Sequence, residues 1–450
     1  MKRIAIIGAG FSGTLLAINL LRHDGPRAIL IERAGQAAKG VAYGAAHPSH
    51  VLNVRAGNMS AFPDDPDHFV RWLAAHGDGD SDTFVRRVVY GRYLAELLDE
   101  ARRSAAGRLD LVAGDVVDVR LGDRDVALHL ADGRRIEADA AVLAVGNLPP
   151  HDPPGLGSAS LSPLRYQADP WQTTDTGPLE QGDTVLAIGS GLTMVDVALR
   201  LDAEGFGGRI VALSRRGLLP RRHAPSVAAM SPRLRERPGT VATALLRQVR
   251  SRGEATGWRA AVDELRPFTQ PMWANAGEAE RHRFLRHLRP WWDVHRHRLA
   301  PAVADRLAAM QAAGRLKVVA GRTVAFRETD AGVDVTWRPR GDDRPQRMTV
   351  QRIVNCTGPQ GDLLRTTDPL LAALVASGMV RPDQARLGID VDAGSATIAA
   401  DGSVNDRLLA LGPMTRGAFW EIVAVPDIRM QSWTLARRLS NAHWVGGEGL

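Results

Sequence analysis

Three glycines near the start of the chain, Gly8, Gly10 and Gly13, have the spacing of a turn that binds the pyrophosphate of a dinucleotide. An apolar run precedes them, a helical pattern follows, and a second apolar run ends on Glu32. The glycines allow a tight turn and close approach of the phosphates, the helix N-terminus stabilises their charge, and the carboxylate binds ribose hydroxyls. We therefore expect a dinucleotide site, with a tight turn lacking a ligand as the less favoured alternative. The neighbouring residues expected at this site are Phe11, Ser12 and Arg33.

A second turn of this kind begins at Gly189 and Gly191 and predicts a second nucleotide site, although Met194 takes the place of the third glycine. The next predicted strand ends on Arg215 and Arg216 instead of an acid. Arginine binds a 2′-phosphate bidentately, whereas a carboxylate would repel it, so we expect NADPH rather than NADH. Solvent-exposed arginines at a strand end are the alternative. The other residues expected at this site are Ser190 and Thr193.

Further strands that end in glycine are expected to complete these sites. One buried strand ends at Gly146 and closes the first nucleotide domain, and another ends at Gly358 and closes the second. A later strand enters Gly412 and Pro413 ahead of a terminal helix. The backbone N–H groups of such a turn can bind a ring or a phosphate, so we expect this return of the chain to complete the first site.

The chain has 450 residues, enough for two or three domains, and its hydrophobic content of 44% is ordinary for a globular protein. No run approaches the ~20 apolar residues of a transmembrane helix. The basic N-terminus leads into a strand rather than a secretory signal, so we expect a cytoplasmic protein.

The one cysteine, Cys356, excludes an intramolecular disulfide and a CxxC redox pair. The net charge of +7 is spread along the chain without a basic tail, which argues against nucleic-acid binding and fits an anionic cofactor and substrate.

Residues 231–314 have a helical and strongly basic pattern without a nucleotide signature, which we interpret as a substrate lid or a partner surface. Its histidines do not predict a metal site. His282 and His287 do not have the spacing that places two ligands on one helix face, and His295 and His297 lack acidic or cysteine ligands in any zinc pattern.

The sequence resembles the bacterial flavoproteins that include FAD-dependent urate hydroxylase and FAD-dependent aspartate N-hydroxylase. The resemblance runs over nearly the whole chain and is most specific at residues 40–60 and 289–298. The matching stretches are residues 8–13, 40–44, 52–54, 58–60, 185–196, 287–298, 355–359 and 411–429. This resemblance implies an α/β fold: a two-dinucleotide-binding (Rossmann-like) flavoprotein with a helical insertion.

The resemblance also implies an FAD-dependent, NAD(P)H-consuming monooxygenase. NADPH would dock at the second turn and reduce the flavin. Reduced flavin and O₂ would then form a hydroperoxide, whose distal oxygen goes to a nucleophilic carbon or nitrogen of the substrate. Because the cofactor carries this chemistry, the protein mainly orients groups and excludes water. We expect Asn53, Asn58 and Ser60 to be the polar groups over the ring, with Met59 at the cofactor; ordinary turn residues are the alternative for Asn and Ser.

A small anionic substrate, with urate or an acidic amino acid as the best candidates, requires basic groups in its pocket. The candidates for this role are Arg221, Arg222, His223, Arg296 and His297. For each arginine the alternative is a solvated surface, since arginine side chains are mostly exposed.

We expect an FAD-binding domain at residues 1–155, completed by residues 361–450, and an NAD(P)H-binding domain formed by residues 180–230 and 315–360. The insertion lies between the two parts of the second domain. Two other functions stay open: a flavin-dependent dehydrogenase or oxidase without oxygen insertion, and a nucleotide-binding redox-sensing protein whose basic insertion meets a partner. The choice between carbon and nitrogen hydroxylation and the oligomeric state also stay open.

Overall fold

The structure is a computed structural model, and it describes residues 2–23, 25–105, 107–157, 161–172, 177–224 and 236–440. Residues 231–235 of the predicted insertion and the last ten residues of the chain lie outside these ranges. In chain order the strands are β1 (Arg3–Ile7), β2 (Arg27–Glu32), β3 (Leu109–Ala113), β4 (Val116–Leu121), β5 (Val126–Leu130), β6 (Arg135–Ala138), β7 (Ala140–Leu143), β8 (Tyr166–Gln167), β9 (Thr184–Ile188), β10 (Arg209–Ser214), β11 (Leu316–Thr329), β12 (Gly332–Pro339), β13 (Gln346–Val350), β14 (Arg352–Asn355), β15 (Ala396–Ile398) and β16 (Val404–Ala410).

The α-helices, again in chain order, are α1 (Phe11–Arg22), α2 (Gly40–Gly44), α3 (His68–His76), α4 (Arg87–Ser104), α5 (Leu192–Ala203), α6 (Ala242–Thr256), α7 (Trp258–Asp263), α8 (Thr269–Asn275), α9 (Glu278–Arg283), α10 (Arg289–Arg296), α11 (Pro301–Ala312), α12 (Pro369–Ala376) and α13 (Val425–Leu439). Short 3₁₀ turns lie at Ala56–Asn58, Arg266–Phe268, Leu363–Arg365 and Pro413–Thr415, and a π-helical turn at Phe284–Leu288 joins α9 to α10.

The first sheet has the strand order β15-β16-β7-β1-β2-β3. The strands from β16 to β3 are parallel, and β15 joins the edge antiparallel to β16. The central strand β1 is buried from Ile4 to Ile7 because layers cover both faces of the sheet, as is usual for parallel sheets. The two apolar runs on either side of the first glycine turn are therefore confirmed as neighbouring parallel strands.

Helices cover one face of this sheet, and a small antiparallel sheet covers the other. Helices α1, α4 and α13 pack on the first face through buried side chains such as Leu16, Tyr90 and Leu435. The meander β4-β5-β6 and α12 pack on the second face, with Val119 and Leu371 in the shared core. The carboxyl ends of β1 and β2 are thus held between two packed layers, which fixes the position of the first glycine turn.

The second sheet has the strand order β13-β12-β11-β10-β9-β14-β8. Strands β8, β14, β9, β10 and the first part of β11 are parallel, whereas the rest of β11 pairs antiparallel with β12. The sequence pattern predicts two strands at 317–319 and 323–328, and this is wrong, because β11 is continuous with a bulge between Thr323 and Ala325. The bulge lets one strand leave the parallel sheet and enter the antiparallel hairpin.

Helices α6 to α11 lie between β10 and β11, where the sequence has its helical and basic pattern. Polar contacts hold this bundle together: Arg252 of α6 forms a bidentate pair with Glu264, which follows α7, at 2.8 and 2.9 Å. Arg298 forms another with Asp263 of α7, at 2.8 and 2.9 Å. Within the described ranges, no helix is both long enough and apolar enough to cross a membrane.

A buried polar cluster joins the helices of the two sheets. Arg87 of α4 forms an ion pair with Asp196 of α5 at 2.9 Å. The ring of His50 lies 3.1 Å through Nε2 from the backbone oxygen of Asp196, and its Nδ1 accepts a hydrogen bond from the His47 N–H at 3.1 Å. A protonated ring would place an N–H against the N–H of His47, so this geometry suits a neutral imidazole. Burial, together with the charge of Arg87, lowers the pKa of His50 to about 4.

We expect the stability of the protein to depend on pH through His50. The unfolded chain carries this histidine at its ordinary pKa of 6.5, so between pH 4 and pH 6.5 the unfolded state binds more protons than the folded state. The contribution of His50 to the free energy of unfolding should therefore rise with pH across this window, by up to about 3 kcal/mol, and level off above it. Burial raises the pKa of Asp196 to about 6, so this carboxyl makes an opposing contribution that falls with pH. Urea unfolding at several pH values, compared between the wild type and a variant without the ring, isolates the contribution of His50.

The matched variants are His50→Gln, which removes the titrating ring, and His282→Gln, which removes an exposed histidine of α9. Relative to the wild type, His50→Gln should lose the contribution that rises with pH, whereas His282→Gln should keep the wild-type profile. Identical profiles in the two variants would assign the pH dependence to another group.

Candidate nucleotide and substrate site

The first glycine turn lies at the carboxyl ends of β1 and β2. Gly8 has a φ of +104°, and its N–H donates to the carbonyl of Ile31 at 2.9 Å. A Cβ at Gly8 would lie 2.4 Å from the carbonyl oxygen of Ala144, and a Cβ at Gly13 would lie 2.0 Å from the carbonyl oxygen of Gly8. Both distances are far too short for a carbon atom, so the turn and the start of α1 depend on glycine.

The second turn repeats this geometry at β9 and β10. Gly189 has a φ of +117°, its N–H donates to the carbonyl of Leu213 at 2.8 Å, and a Cβ there would lie 2.1 Å from the carbonyl oxygen of Cys356. Met194 stands where the first turn has its third glycine and is fully buried. Cys356 contributes through its backbone, and burial raises the pKa of its thiol well above the ordinary value. The two turns are therefore built alike despite the missing glycine.

Each turn leads into a helix with an open N-terminus. Gly10 precedes α1 and Gly191 precedes α5, and within the described ranges neither helix has an acidic residue in its first turn or a capping side chain. Their first N–H groups and their helix dipoles can therefore bind a phosphate. Ser190 is engaged within the second turn, since its Oγ lies 2.7 Å from the Oγ of Ser214 and 2.5 Å from the carbonyl of Leu218.

The acid at the end of β2 lies against the first turn. One oxygen of Glu32 accepts a hydrogen bond from the N–H of Ala9 at 3.0 Å, and the other accepts one from Ala34 at 2.9 Å. Arg33, which is half-exposed, forms an ion pair with Asp368 at 3.0 Å. The carboxylate of Glu32 is therefore fixed beside the turn, whereas the guanidinium of Arg33 is drawn toward the start of α12.

The C-terminal part of the chain returns to the first turn after β16. Gly412 has a φ of +83°, and a Cβ there would lie 2.4 Å from the Oγ of Ser12 in α1. Its N–H donates to the side-chain oxygen of Gln431 at 2.9 Å, and Pro413 begins a 3₁₀ turn. Phe11, beside Ser12, is buried among aromatic rings. This return therefore reaches the N-terminus of α1, where the sequence predicts that it completes the first site.

Gly146 follows β7 and Gly358 follows β14, with φ of +72° and +88°. No heavy atom lies within 4 Å of a Cβ built at either residue in the part of the chain that is described. Both glycines thus bend the chain away from the strand ends and leave open space there.

A large cavity of about 1970 Å³, which we call the main cavity, lies beside the second turn. Its walls come from the loop around residues 52–59, the ends of β9, β10 and β14, the insertion, and the start of α13. The predicted site residues that line it are Asn53, Asn58, Met59, Gly189, Ser190, Gly191, Thr193, Arg215, His223, Arg296, His297 and Gly358. The structure therefore brings residues that are far apart in sequence to one space.

Four of the residues predicted over the ring, at the 2′-phosphate or in the substrate pocket do not line the main cavity. Ser60 is buried, and its hydroxyl donates to the carbonyl of Asp65 at 2.6 Å, so it stabilises a turn rather than a reacting group. The guanidinium of Arg216 lies over the ring of Trp291, 5.9 Å from its centroid. The two arginines after Pro220 are exposed on the outer side of the protein. These are Arg221, whose backbone pairs with Val294, and Arg222, which forms an ion pair with Asp305 at 2.9 Å.

Arginine dominates the charge of the main cavity, with twelve arginines against four carboxylates on its walls. The carboxylates already have protein partners. Asp263 pairs with Arg298, Glu264 with Arg252, and Asp293 with Arg289 at 3.5 Å. The remaining one, Asp152, accepts a hydrogen bond from the hydroxyl of Tyr166 at 2.8 Å. Among the described residues, the walls of this cavity therefore carry more guanidinium groups than carboxylates.

A carboxylate that the sequence analysis did not single out supports the insertion side of the cavity. Glu421, before α13, is 1% exposed and has a φ of +72°, which is unfavourable for a residue with a side chain. Its oxygens accept a hydrogen bond from the Trp292 indole N–H at 2.8 Å and lie 3.1 Å from the Nε of Arg296. Burial opposes its ionisation, but the charges of His297 and Arg296 nevertheless lower its pKa. Glu421 thus holds Arg296 at the cavity wall.

Two neighbouring groups respond to the same environment. Burial lowers the pKa of His297, against the opposing effect of Glu421. Burial also lowers the pKa of Arg416 to about 10, and its guanidinium lies 4.4 Å from the ring centroid of Trp420. In the sequence, this cluster is indicated by the acidic residue Glu421, which directly follows the aromatic residues Phe419 and Trp420.

Within the described residues, no group of three His, Cys, Asp or Glu side chains is placed to hold a metal ion.

Comparisons with known proteins agree with this architecture. Residues 5–148 match a family model described as FAD-NAD(P)-binding. No curated protein matches the chain in sequence. Among solved structures, the ornithine hydroxylase PvdA from Pseudomonas aeruginosa is similar, with a TM-score of 0.67, 14% identity, and coverage of 98% of this chain and 99% of that one.

Two other solved structures are similar over the same extent. They are the ornithine N-hydroxylase KtzI from Kutzneria sp. 744, with reduced FAD, NADP⁺ and L-ornithine (TM-score 0.66, 15% identity, 98% and 99% coverage), and L-lysine 6-monooxygenase from Pseudomonas syringae (TM-score 0.64, 15% identity, 98% and 100% coverage). The chain has the fold of these enzymes. The predicted fold class, α/β with two Rossmann-like nucleotide-binding units, is confirmed.

We expect the buried carboxylate of Glu421 to be important for stability. Glu421→Gln keeps an acceptor for Trp292 but leaves the guanidinium of Arg296 without its charge partner, which should lower the free energy of unfolding by about 3 kcal/mol. Urea denaturation measures this loss. The control is Glu137→Gln, which removes a surface ion pair with Arg135 and should cost less than about 1 kcal/mol. Equal losses in the two variants would contradict this role of Glu421.

Proposed function

We propose that the protein is an FAD- and NADPH-dependent monooxygenase that hydroxylates a small anionic substrate. The observation that supports this most directly is the pairing of two like-built nucleotide turns with one arginine-lined cavity. A single-nucleotide protein would need one such turn, whereas hydride transfer between two dinucleotide cofactors needs two. The match of residues 5–148 to an FAD-NAD(P)-binding model and the fold likeness to hydroxylases agree with this proposal.

The first turn fits FAD. The open N-terminus of α1, preceded by Gly10, suits the pyrophosphate, and Glu32 suits ribose hydroxyls. Gly412 packs directly on Ser12, which brings the C-terminal return against the first turn of α1. In this proposal Met59 and the loop around it meet the ring.

The second turn fits NADPH. The N-terminus of α5, preceded by Gly191, suits the pyrophosphate, and Thr193 lies in the first turn of that helix. Arg215 follows β10 and lines the main cavity, as does Arg322 of β11, the strand next to β10. These two arginines are the proposed 2′-phosphate ligands, and Arg322 is one that the sequence analysis did not identify.

The main cavity favours an acidic substrate. The named relatives act on ornithine or lysine, which carry an extra ammonium group. Carboxylates are strong partners for such a group, and each of the four carboxylates among the described residues of this wall already has an arginine or a tyrosine as partner. Arg296 and His297, with Arg416 nearby, are the proposed groups for the substrate anion. Urate or an acidic amino acid is the best candidate.

In the proposed reaction, substrate, O₂, NADPH and a proton give hydroxylated substrate, water and NADP⁺. Reduced flavin, when bound, supplies the electrons that activate O₂. The chain itself binds and orients the reactants. In this proposal Asn53 and Asn58, which line the cavity, offer their amide groups to the reactants, and Glu421 keeps Arg296 in position for the substrate anion. The insertion and the start of α13 form part of the cavity wall.

Oxygen transfer is the decisive test. The purified protein should carry flavin, and urate, related purines and acidic amino acids should be screened for faster NADPH oxidation. With isotopically labelled O₂, mass spectrometry should find one labelled oxygen atom in the product. Stimulated NADPH oxidation that leaves no label in the product would point to a dehydrogenase or oxidase. Flavin that NADPH cannot reduce would favour a redox-sensing role instead.

The 2′-phosphate assignment makes a separate prediction. Arg215→Ala should raise the KM for NADPH by about tenfold or more, because a charge-assisted contact is lost, and should change the KM for NADH little. Arg216→Ala is the control, since that guanidinium lies over Trp291 and not in the main cavity. Steady-state kinetics with both coenzymes checks this. Equal weakening of NADPH and NADH by Arg215→Ala would refute the assignment.

A further inference from the structure

A second cavity, of about 610 Å³, lies inside the insertion, and we call it the aromatic pocket. Five of the chain's ten tryptophans line it: Trp258, Trp273, Trp291, Trp292 and Trp420. Protein interiors are normally packed with few voids larger than a water molecule, whereas pockets for small ligands occupy about 300–1,000 Å³. The volume of this pocket is therefore that of a ligand site.

The aromatic pocket is separate from the main cavity. Helix α7 forms part of the wall between them, with Trp258 and Val262 facing the pocket and Arg259 and Asp263 facing the main cavity. Helix α10 divides the two spaces in the same way. The pocket therefore has its own lining and is not an extension of the anion site.

Two of the tryptophans offer carbon surface to the pocket, because their polar edges are engaged elsewhere. The indole N–H of Trp273 donates to the carbonyl of Gly417 at 2.8 Å, and that of Trp292 donates to Glu421 at 2.8 Å. A ligand in the pocket thus meets the faces of these rings. Flat apolar molecules stack well on such faces.

The pocket is lined by two arginines and two glutamates, so these four side chains carry no net charge. Arg281 donates to the carbonyls of Trp273 and Ala274 at 3.0 Å each, and Glu280 accepts a hydrogen bond from the N–H of Ala242 at 2.8 Å. The other two, Arg250 and Glu254, are exposed on α6. A charged ligand would lose its hydration in the pocket without meeting an excess of opposite charge, which is costly, so the lining favours a neutral ligand.

Helix α6 covers the pocket while leaving it unfilled. Polar contacts hold both of its ends: Ala242 to Glu280 at the first turn and Arg252 to Glu264 near the last. Between these ends Leu246 and Val249 line the pocket and stay half-buried. The helix thus spans an apolar space instead of collapsing onto the tryptophans.

We propose that the aromatic pocket binds an uncharged, flat apolar small molecule, separately from the anionic substrate of the main cavity. This inference does not depend on the proposed oxygenase activity, since it rests on the lining of the insertion. Hydrophobic contact and ring stacking supply the affinity, and α6 is the cover.

The test uses the full-length protein and the neutral fluorescent probe N-phenyl-1-naphthylamine. Tryptophan emission overlaps the absorption of this probe, so energy transfer from the lining tryptophans reports binding at the pocket. Leu246→Glu places a carboxylate at the pocket and should weaken binding by about tenfold or more. Ala244→Glu, at an exposed position of the same helix, should leave the dissociation constant unchanged within about a factor of two.

A second variant keeps the test decisive if Leu246→Glu unfolds the helix. Ala276→Phe fills part of the pocket without adding charge and should also weaken the probe, with the circular dichroism spectrum unchanged. Wild-type protein that does not bind the probe, or equal affinity in Leu246→Glu, Ala276→Phe and Ala244→Glu, would overturn the proposal. The titration needs neither NADPH nor turnover, so its failure is distinct from a failure of the oxygenase assignment.

Discussion

One backbone carbonyl at the end of a neighbouring strand determines each nucleotide turn. The oxygen of Ala144 lies where a side chain at Gly8 would begin, and the oxygen of Cys356 does the same at Gly189. Because a side chain does not fit at these positions, the chain turns sharply from strand to helix, and the first N–H groups of α1 and α5 lie at the strand ends without capping side chains. The two glycines therefore fix where two anionic cofactors can lie relative to each other.

The main cavity is the electrostatic consequence of this arrangement. Its excess of arginine is costly in a folded protein without anions, because like charges repel and partly buried guanidinium groups lose hydration. Burial is the main cause of the lowered pKa values of Arg416 and His50, and the neighbouring charges of Arg289 and Arg87 lower them further. The same guanidinium groups would interact favourably with the phosphates of a dinucleotide cofactor.

Local patterns made much of the fold predictable. The glycine turns, the apolar strands beside them and the helical character of the insertion depend on residues close in sequence, and short-range rules capture these. The orientation of side chains from the insertion depends on packing between distant segments. Ser60 turns inward to the carbonyl of Asp65, Arg222 turns outward to Asp305, and Glu421 meets Arg296 only after α10 and the C-terminal return come together. Periodicity carries no information about such contacts.

The insertion separates the arginine-lined main cavity from the tryptophan-lined aromatic pocket, and single helices form the wall between them. On α7 a tryptophan and an arginine are adjacent in sequence, Trp258 and Arg259, yet they line different cavities because successive residues point about 100° apart on a helix. The hydrogen bond from Trp292 to Glu421 then crosses this wall, since the same carboxylate holds Arg296 on the other side. Trp292 in the aromatic pocket and Arg296 in the main cavity therefore share one buried carboxylate as their partner. The wall thus separates an apolar space from a charged one and is itself held together by a polar contact.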